Sequence, residues 1–197
     1  RENILAVISD KYQYAYMIMA ITGARPEEIR KGFKVRSLED DTLEITLQGA
    51  KVSETTGGGQ AWRRLVVDPR IVLPITGLSL HADITAQGGE VNFSPTKGGG
   101  FQKAISRAAK EKLGYDNISA LNLRHAFTSD LKKSKTDGDA ISLAMGHSSR
   151  KSKQHYGRWR AGKSGKSPLK FVEAAKALTG VERIPPWQVI IKTPDFD

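Results

Sequence analysis

The sequence contains no cysteine and only four histidines among its 197 residues. The lack of cysteine excludes disulfide bonds, thiolate zinc sites and a cysteine nucleophile, and we expect neither a bound metal nor a cofactor. No apolar run approaches the roughly 20 residues that a membrane-spanning helix needs, so we expect no membrane segment. No strand-like segment carries the aromatic cluster on which RNA-binding modules stack bases, which argues against an RNA-binding module.

The N-terminus also lacks familiar signals. The chain begins with Arg1 in place of Met, and residues 1–10 contain no apolar signal core. We therefore expect that the chain is not a secreted precursor and that it is a fragment lacking an upstream segment.

Acidic residues are outnumbered by basic ones. The sequence has 31 Lys and Arg against 21 Asp and Glu, which gives a formal net charge of +10. The densest basic stretch, residues 150–170, contains no Asp or Glu. Because cations that contact phosphates release condensed counterions, this distribution favours double-stranded DNA as the partner.

The hydrophobic pattern predicts an α+β fold that is mainly α, with helices around a small antiparallel sheet. Alternating residues predict two strands, Thr42–Leu47 and Trp62–Val67, which form a hairpin around Gly57-Gly58-Gly59. Apolar positions at helical spacing, together with helix start and stop signals, predict helices at 4–21, 26–31, 101–113, 122–133, 137–145, 149–158 and 171–178. We expect one domain over residues 1–180 and an extended tail over 181–197.

Five residues are candidates for chemistry. Arg25 precedes the short helix that begins at Pro26, and Lys51 follows the first strand of the hairpin. Arg124 lies in the first turn of an otherwise apolar helix, His147 follows Gly146 at the end of another, and Tyr156 lies nine residues later in the basic stretch.

Ordinary structural roles are open for the same residues. Arg25 and Lys51 can be solvated surface cations, and Arg124 can form a buried ion pair with Asp130 or Asp139. His147 can cap a helix, and Tyr156 can be a core or interface aromatic.

The order of these motifs resembles the catalytic domain of tyrosine recombinases, the phage-integrase family, over about residues 4–171. Thr22-Gly23-Ala24-Arg25-Pro26-Glu27-Glu28-Ile29 is similar to the first arginine motif of that family, and Lys51 to its hairpin lysine. Leu123-Arg124-His125 is similar to the second arginine motif, Met145-Gly146-His147-Ser148-Ser149 to the histidine motif, and Tyr156 stands where the family has its nucleophile. Five motifs in order are far more specific than any one of them.

The resemblance implies a site-specific recombinase that needs neither metal nor ATP. Two guanidinium groups, Arg25 and Arg124, would bind the non-bridging oxygens of a phosphodiester. Tyr156 would attack the phosphorus and form a 3′-phosphotyrosine, and Lys51 would protonate the departing 5′ oxygen. His147 would accept a proton or donate a hydrogen bond to the phosphate, two roles that the sequence does not separate.

The resemblance also implies two kinds of partner: double-stranded DNA, and other protomers of the same protein in a DNA-bound tetramer. It further implies a cytoplasmic, bacterial or phage-encoded protein that acts on the chromosome, and an upstream DNA-clamping domain that we expect to be absent from this fragment. We expect backbone contacts to DNA from seven basic residues: Arg63, Lys97, Lys103, Arg107, Arg150, Lys151 and Lys153.

The sequence departs from the family pattern at Leu121, where the family usually has histidine or lysine three residues before the second arginine. His125 is adjacent to Arg124 and is turned by about 100° from it on the helix, so it does not replace that residue. Leu121 leaves open a DNA-binding relative with weakened catalysis. A second alternative is a type IB topoisomerase-like enzyme, which uses similar tyrosine chemistry but relaxes DNA without exchanging strands.

Overall fold

The protein is described by a computed structural model over residues 1–50, 52, 58–93, 100–149, 161–162 and 165–179. The α-helices in these parts of the chain are α1 (Glu2–Leu5), α2 (Gln13–Thr22), α3 (Pro26–Arg30), α4 (Pro69–Val72), α5 (Gly77–Ala86), α6 (Gly100–Arg107), α7 (Ala120–Lys133) and α8 (Gly138–Ala144). The strands are β1 (Phe33–Ser37), β2 (Leu43–Gln48), β3 (Trp62–Val67), β4 (Glu90–Phe93) and β5 (Leu169–Ala174). The mainly helical α+β fold with a small antiparallel sheet is therefore the one that the sequence predicted.

The five strands form one antiparallel sheet in the order β4-β1-β2-β3-β5. The predicted hairpin is its centre, and β3 has the predicted bounds. A row of apolar side chains crosses four strands, with Val35 opposite Ile45, Ile45 opposite Leu65, and Leu65 opposite Val172. All four are buried, because they share the face of the sheet that the helices cover.

Helix α2 is the central helix of the core. Its residues from Tyr16 to Thr22 are all buried, and it packs against α7 and the inner face of the sheet. A helix that is apolar on every side must be enclosed by other elements. The first candidate arginine, Arg25, follows three residues after the end of this helix.

Several predicted elements differ from the structure. The helix predicted for residues 4–21 is interrupted after α1, where Ser9 has an extended backbone with φ −58° and ψ 137° before a 3-10 turn at Asp10–Tyr12. The apolar residues Leu5 and Ile8 still reach the core, which explains the helical periodicity. The segment predicted as one helix, 101–113, forms α6 up to Arg107 and then a π-helical turn, Ala108–Lys112.

The predicted helix at 171–178 is wrong. This segment contributes the edge strand β5, which pairs with β3 so that Leu65 faces Val172 and Arg64 faces Glu173. The pairing with β3 decides its conformation, and a local pattern cannot show such a pairing. Strands β1 and β4 were also not predicted, because β1 lies in a basic cluster and β4 in a polar, glycine-rich stretch.

None of the helices in the described parts of the chain has both the length and the apolar character needed to cross a membrane.

Candidate active site

Arg25 lies in the sharp connection between α2 and α3. Helix α2 ends at Gly23, whose left-handed backbone, φ 63°, turns the chain. Arg25 then precedes the first residue of α3, Pro26, with an extended backbone. Glu28 in the first turn of α3 accepts the backbone N–H of Arg25 at 2.7 Å and its Nη1 at 3.0 Å. One carboxylate therefore fixes both the backbone and the guanidinium of this arginine.

Glu28 also binds a second arginine, Arg63 of β3. Nη1 and Nη2 of Arg63 donate to the two carboxylate oxygens at 2.9 and 2.8 Å. Both side chains are completely buried. The prediction that Arg63 contacts DNA is therefore wrong: it lies on the inner face of β3, in phase with Leu65 and Val67, and its guanidinium is paired inside the protein.

The ionisation of Glu28 depends on these arginines. Burial alone would raise the pKa of its carboxyl group, but the charge and hydrogen bonds of Arg63, followed by the charge of Arg25, lower that pKa to about 2. Glu28 is consequently a carboxylate at neutral pH, and its negative charge is shared between two guanidinium groups.

Arg124 comes from a different part of the chain, the buried face of α7. Its Nη1 donates to the carbonyl oxygen of Gly23 at 2.7 Å, and its Nη2 donates to that of Met145. The guanidinium thus joins the turn after α2 to the turn after α8. Of the two acids considered as partners, Asp130 pairs with Arg1.

His147 lies just after α8, next to Arg124. Its Nε2 is 3.4 Å from Nη2 of Arg124. Because a guanidinium can only donate, this contact requires Nε2 to be the acceptor and places the ring proton on Nδ1. Burial, followed by the positive charges of Arg124, Arg25 and Arg63, lowers the pKa of His147 to about 3. The imidazole is therefore neutral at pH 7.

Gly146 allows these groups to approach one another. It has φ 67°, and a Cβ atom there would lie 3.0 Å from Nη1 of Arg63 and 3.6 Å from Nη1 of Arg25. A side chain at this position would be strained by the backbone and would press on Arg63. The glycine therefore lets His147 follow directly beside two guanidinium groups.

Gln60, two residues before β3, binds the backbone of the turn that contains Gly146 and His147, called here the histidine turn. Its Nε2 donates to the carbonyl oxygens of His147 and Lys176, each at 2.9 Å, and its Oε1 accepts the N–H of Lys176 at 2.8 Å. The N–H of Gly59 donates to Oγ of Ser148 at 3.1 Å. The return arm of the hairpin, the histidine turn and the segment after β5 are thus hydrogen-bonded into one unit.

The structure brings together three of the five predicted catalytic residues: Arg25, Arg124 and His147. With Arg63 and Glu28 added, the cluster contains three guanidinium groups, one carboxylate and one neutral imidazole. Positive charge is in excess, so the arrangement is suited to an anion whose charge grows during a reaction.

Six of the other predicted site residues lie outside the described residues: Lys51, Tyr156, Lys97, Arg150, Lys151 and Lys153. Lys103 and Arg107 are exposed on α6, where they line a groove of about 370 Å³ together with Lys11 and Lys112. Their contact with DNA stays a prediction.

Sequence reasoning missed Glu28, Arg63 and Gln60. Glu28 stands at the third helical position of α3, where a carboxylate can reach back to the backbone N–H of the residue before the helix. Arg63 alternates in phase with Leu65 and Val67, and an arginine on a buried strand face needs an acidic partner. No local signal identified Gln60, because its partners are 87 and 116 residues away.

Within the described parts of the chain, no group of three or more His, Asp or Glu side chains is placed to hold a metal ion.

Comparison with known proteins gave a structural match alone. No family model and no curated protein matches the sequence. The fold is similar to that of XerH, a site-specific recombinase whose crystal structure shows the post-cleavage complex bound to a palindromic difH substrate. The TM-score is 0.51 at 19% sequence identity over 78% of this chain. The chain spans 46% of the length of that protein, and the likeness supports the fold predicted above, helices around a small antiparallel sheet.

Proposed function

We propose that this chain is the catalytic domain of a site-specific DNA recombinase that cuts and rejoins strands through a 3′-phosphotyrosine on Tyr156, without metal or ATP. The observation that carries this proposal is the convergence of Arg25, Arg124 and His147, which come from three distant segments and meet in one cationic cluster. The fold that the chain shares with a site-specific recombinase supports it.

The charges of the cluster fit phosphoryl transfer. Negative charge accumulates on the non-bridging oxygens as the fifth bond to phosphorus forms. Arg25 and Arg124 are permanently protonated planar groups suited to this charge. Arg25 is partly exposed and can donate to those oxygens, whereas Arg124 is fully buried with its Nη atoms on two backbone carbonyls, so it contributes positive charge beside the phosphate. Both are held by protein contacts before any substrate arrives, so little reorganisation is needed when the charge develops.

The remaining steps use the proton donors and acceptors of the chain. The phenolic oxygen of Tyr156 attacks phosphorus, the bond to the 5′ oxygen breaks, and Lys51 gives that oxygen a proton. His147 is neutral, and its ring proton on Nδ1 can be donated in a hydrogen bond to the phosphate, while the phenolic proton passes to solvent. A 5′ hydroxyl then attacks the phosphotyrosine, which restores the phenol and rejoins the strand. Exchange between two duplexes takes place in a tetramer assembled on DNA.

Covalent trapping tests this proposal. The protein is incubated with a DNA substrate in which a nick next to the cleavage site releases a short strand, so that rejoining is prevented. We expect a protein–DNA adduct that survives denaturation and EDTA and is absent in Tyr156→Phe. Tyr115→Phe is the matched control, because Tyr115 is 47% exposed and belongs to no part of the cluster. Adducts that persist in Tyr156→Phe would refute the assignment of the nucleophile.

A relative with weakened catalysis is a second candidate, and one observation favours it. Leu121 is 47% exposed and lies one turn before Arg124 on α7, so its position faces the same side of the helix. An apolar side chain there can neither donate to a phosphate nor transfer a proton. If this residue limits the reaction, Leu121→His will increase the rate of adduct formation with no loss of stability, because the side chain is not part of the core.

The same substrates separate recombination from simple relaxation. A recombinase joins the cleaved strand to a second duplex that carries the matching end. A topoisomerase-like enzyme relaxes supercoiled plasmid and gives no joined product between two duplexes.

A further inference from the structure

We infer that Arg63 is a positioning residue that keeps the charge of Arg25 available to the scissile phosphate. This inference rests on the proposed function. Arg63 is absent from the motifs that predicted the site, and it is completely buried on β3.

The side chain of Glu28 makes more hydrogen bonds with the guanidinium of Arg63 than with that of Arg25. Arg63 binds both carboxylate oxygens, at 2.9 and 2.8 Å, in a bidentate pair. Arg25 reaches Oε1 alone, through Nη1, at 3.0 Å. A guanidinium has five N–H donors, and in the described parts of the chain the side chain of Arg25 is hydrogen-bonded only to Glu28. As far as these parts of the chain are concerned, donors of Arg25 are therefore left for a substrate.

The charges lead to the same conclusion. Glu28 and Arg25 alone would form a neutral pair in a desolvated place, where attraction between opposite charges is strong. Such a pair would give a phosphate little net attraction. Arg63 supplies the counter-charge that Glu28 needs, so Glu28 can orient Arg25 without cancelling its charge.

Arg63 also lies against the histidine turn. A Cβ atom on Gly146 would be 3.0 Å from Nη1 of Arg63, and His147 is the next residue. The same guanidinium therefore lies between the first arginine and the histidine turn, with both of its Nη atoms paired to Glu28 inside the protein.

A double-mutant cycle with two substrates tests the inference. The four proteins are the parent, Arg63→Met, Glu28→Gln and Glu28→Gln/Arg63→Met. The substrates carry either a normal phosphodiester or an uncharged methylphosphonate at the cleavage site. The matched control is Arg64→Met, since Arg64 is the next residue on β3, lies on the outer face and pairs with the buried Glu173.

With Glu28 present, we expect Arg63→Met to slow cleavage of the phosphodiester about 10-fold or more, and to slow the uncharged substrate much less. With glutamine at position 28 no carboxylate is left to neutralise, so loss of Arg63 should change the rate by no more than about twofold. Arg64→Met is expected to lower the melting temperature and to leave the rate unchanged on both substrates.

Each outcome either supports or overturns the positioning role of Arg63. Equal losses on both substrates, or a large loss in the Glu28→Gln background, would show that Arg63 acts only on folding and would overturn the inference. If Arg63→Met does not fold, the two proteins with glutamine at position 28 decide it alone by the same criterion. Absence of an adduct with the parent protein refutes the proposed function and the inference with it, whereas normal cleavage by Arg63→Met refutes the inference alone.

Discussion

Stability between pH 7.5 and 5.5 provides a direct test of the site's electrostatics through His147. In the unfolded chain the imidazole has its ordinary pKa of 6.5, whereas in the folded protein burial and three guanidinium groups lower that pKa to about 3. Between these values the unfolded state binds a proton that the folded state does not. Acidification through this window therefore favours unfolding.

The magnitude follows from the difference in proton binding. At pH 7.5 the imidazole is almost entirely neutral in both states and contributes almost nothing. At pH 5.5, one unit below the unfolded pKa, the contribution is a loss of about 1.4 kcal/mol of unfolding free energy. For a domain of this size, that corresponds to a melting temperature lower by about 3 to 6 °C. Glu28 adds little here, because its pKa changes from 4.5 to about 2, and its stabilising effect is lost only below this window.

The comparison uses His147→Gln, which cannot be protonated. Urea unfolding at pH 7.5 and 5.5 gives the loss of stability of each protein, and the difference between the two losses isolates the imidazole from all other groups. We expect the parent to lose about 1.4 kcal/mol more than the variant. Equal losses would refute the conclusion that the folded protein holds His147 neutral among cations.

Two further substitutions test the contacts that position the site, and a third, with an exposed control, tests the core. Gly146→Ala places a side chain on a left-handed residue and against Arg63, so we expect a loss of about 1 to 2 kcal/mol in urea unfolding and slower adduct formation. Gln60→Leu removes one hydrogen bond to the histidine turn and two to Lys176, and should cost about 3 kcal/mol in the same assay, while a loss below 1 kcal/mol would show that the turn is held by other contacts. Leu65→Ala removes a fully buried side chain from the row across the sheet and should cost about 2 to 5 kcal/mol. Leu78→Ala, at a position 52% exposed, should change stability by no more than about 0.5 kcal/mol in the matching experiment.

Elements whose burial pattern is local could be predicted from the sequence. Strand β3 has the predicted bounds, because Leu65 and Val67 alternate with outward residues. Helices α7 and α8 begin and end within about two residues of the prediction. In both, the side chains that define the periodic pattern are the ones that the core buries.

Elements fixed by distant partners could not be predicted. The segment around Phe171 has a mixed pattern, and it becomes a strand because β3 offers a free edge. The break at Ser9 leaves the apolar spacing of the surrounding residues intact, so the periodicity continued through it. In both cases tertiary contacts outweigh local preference.

At the candidate site, the types and the order of the reactive groups could be read directly from the sequence. Arg25, Arg124 and His147 stand in short motifs whose residue types are suited to binding a phosphate. The sequence placed Arg25 and His147 at helix ends correctly, whereas Arg124 is the fifth residue of α7 and not in its first turn, because that helix begins at Ala120. The tertiary structure alone decided which groups share charge: it buried Arg63 against Glu28, set Arg124 between two turns and surrounded His147 with cations. The physical reason is that a side chain's chemistry is local, whereas its charge balance and pKa depend on partners that are dozens of residues away in the chain and meet only when it folds.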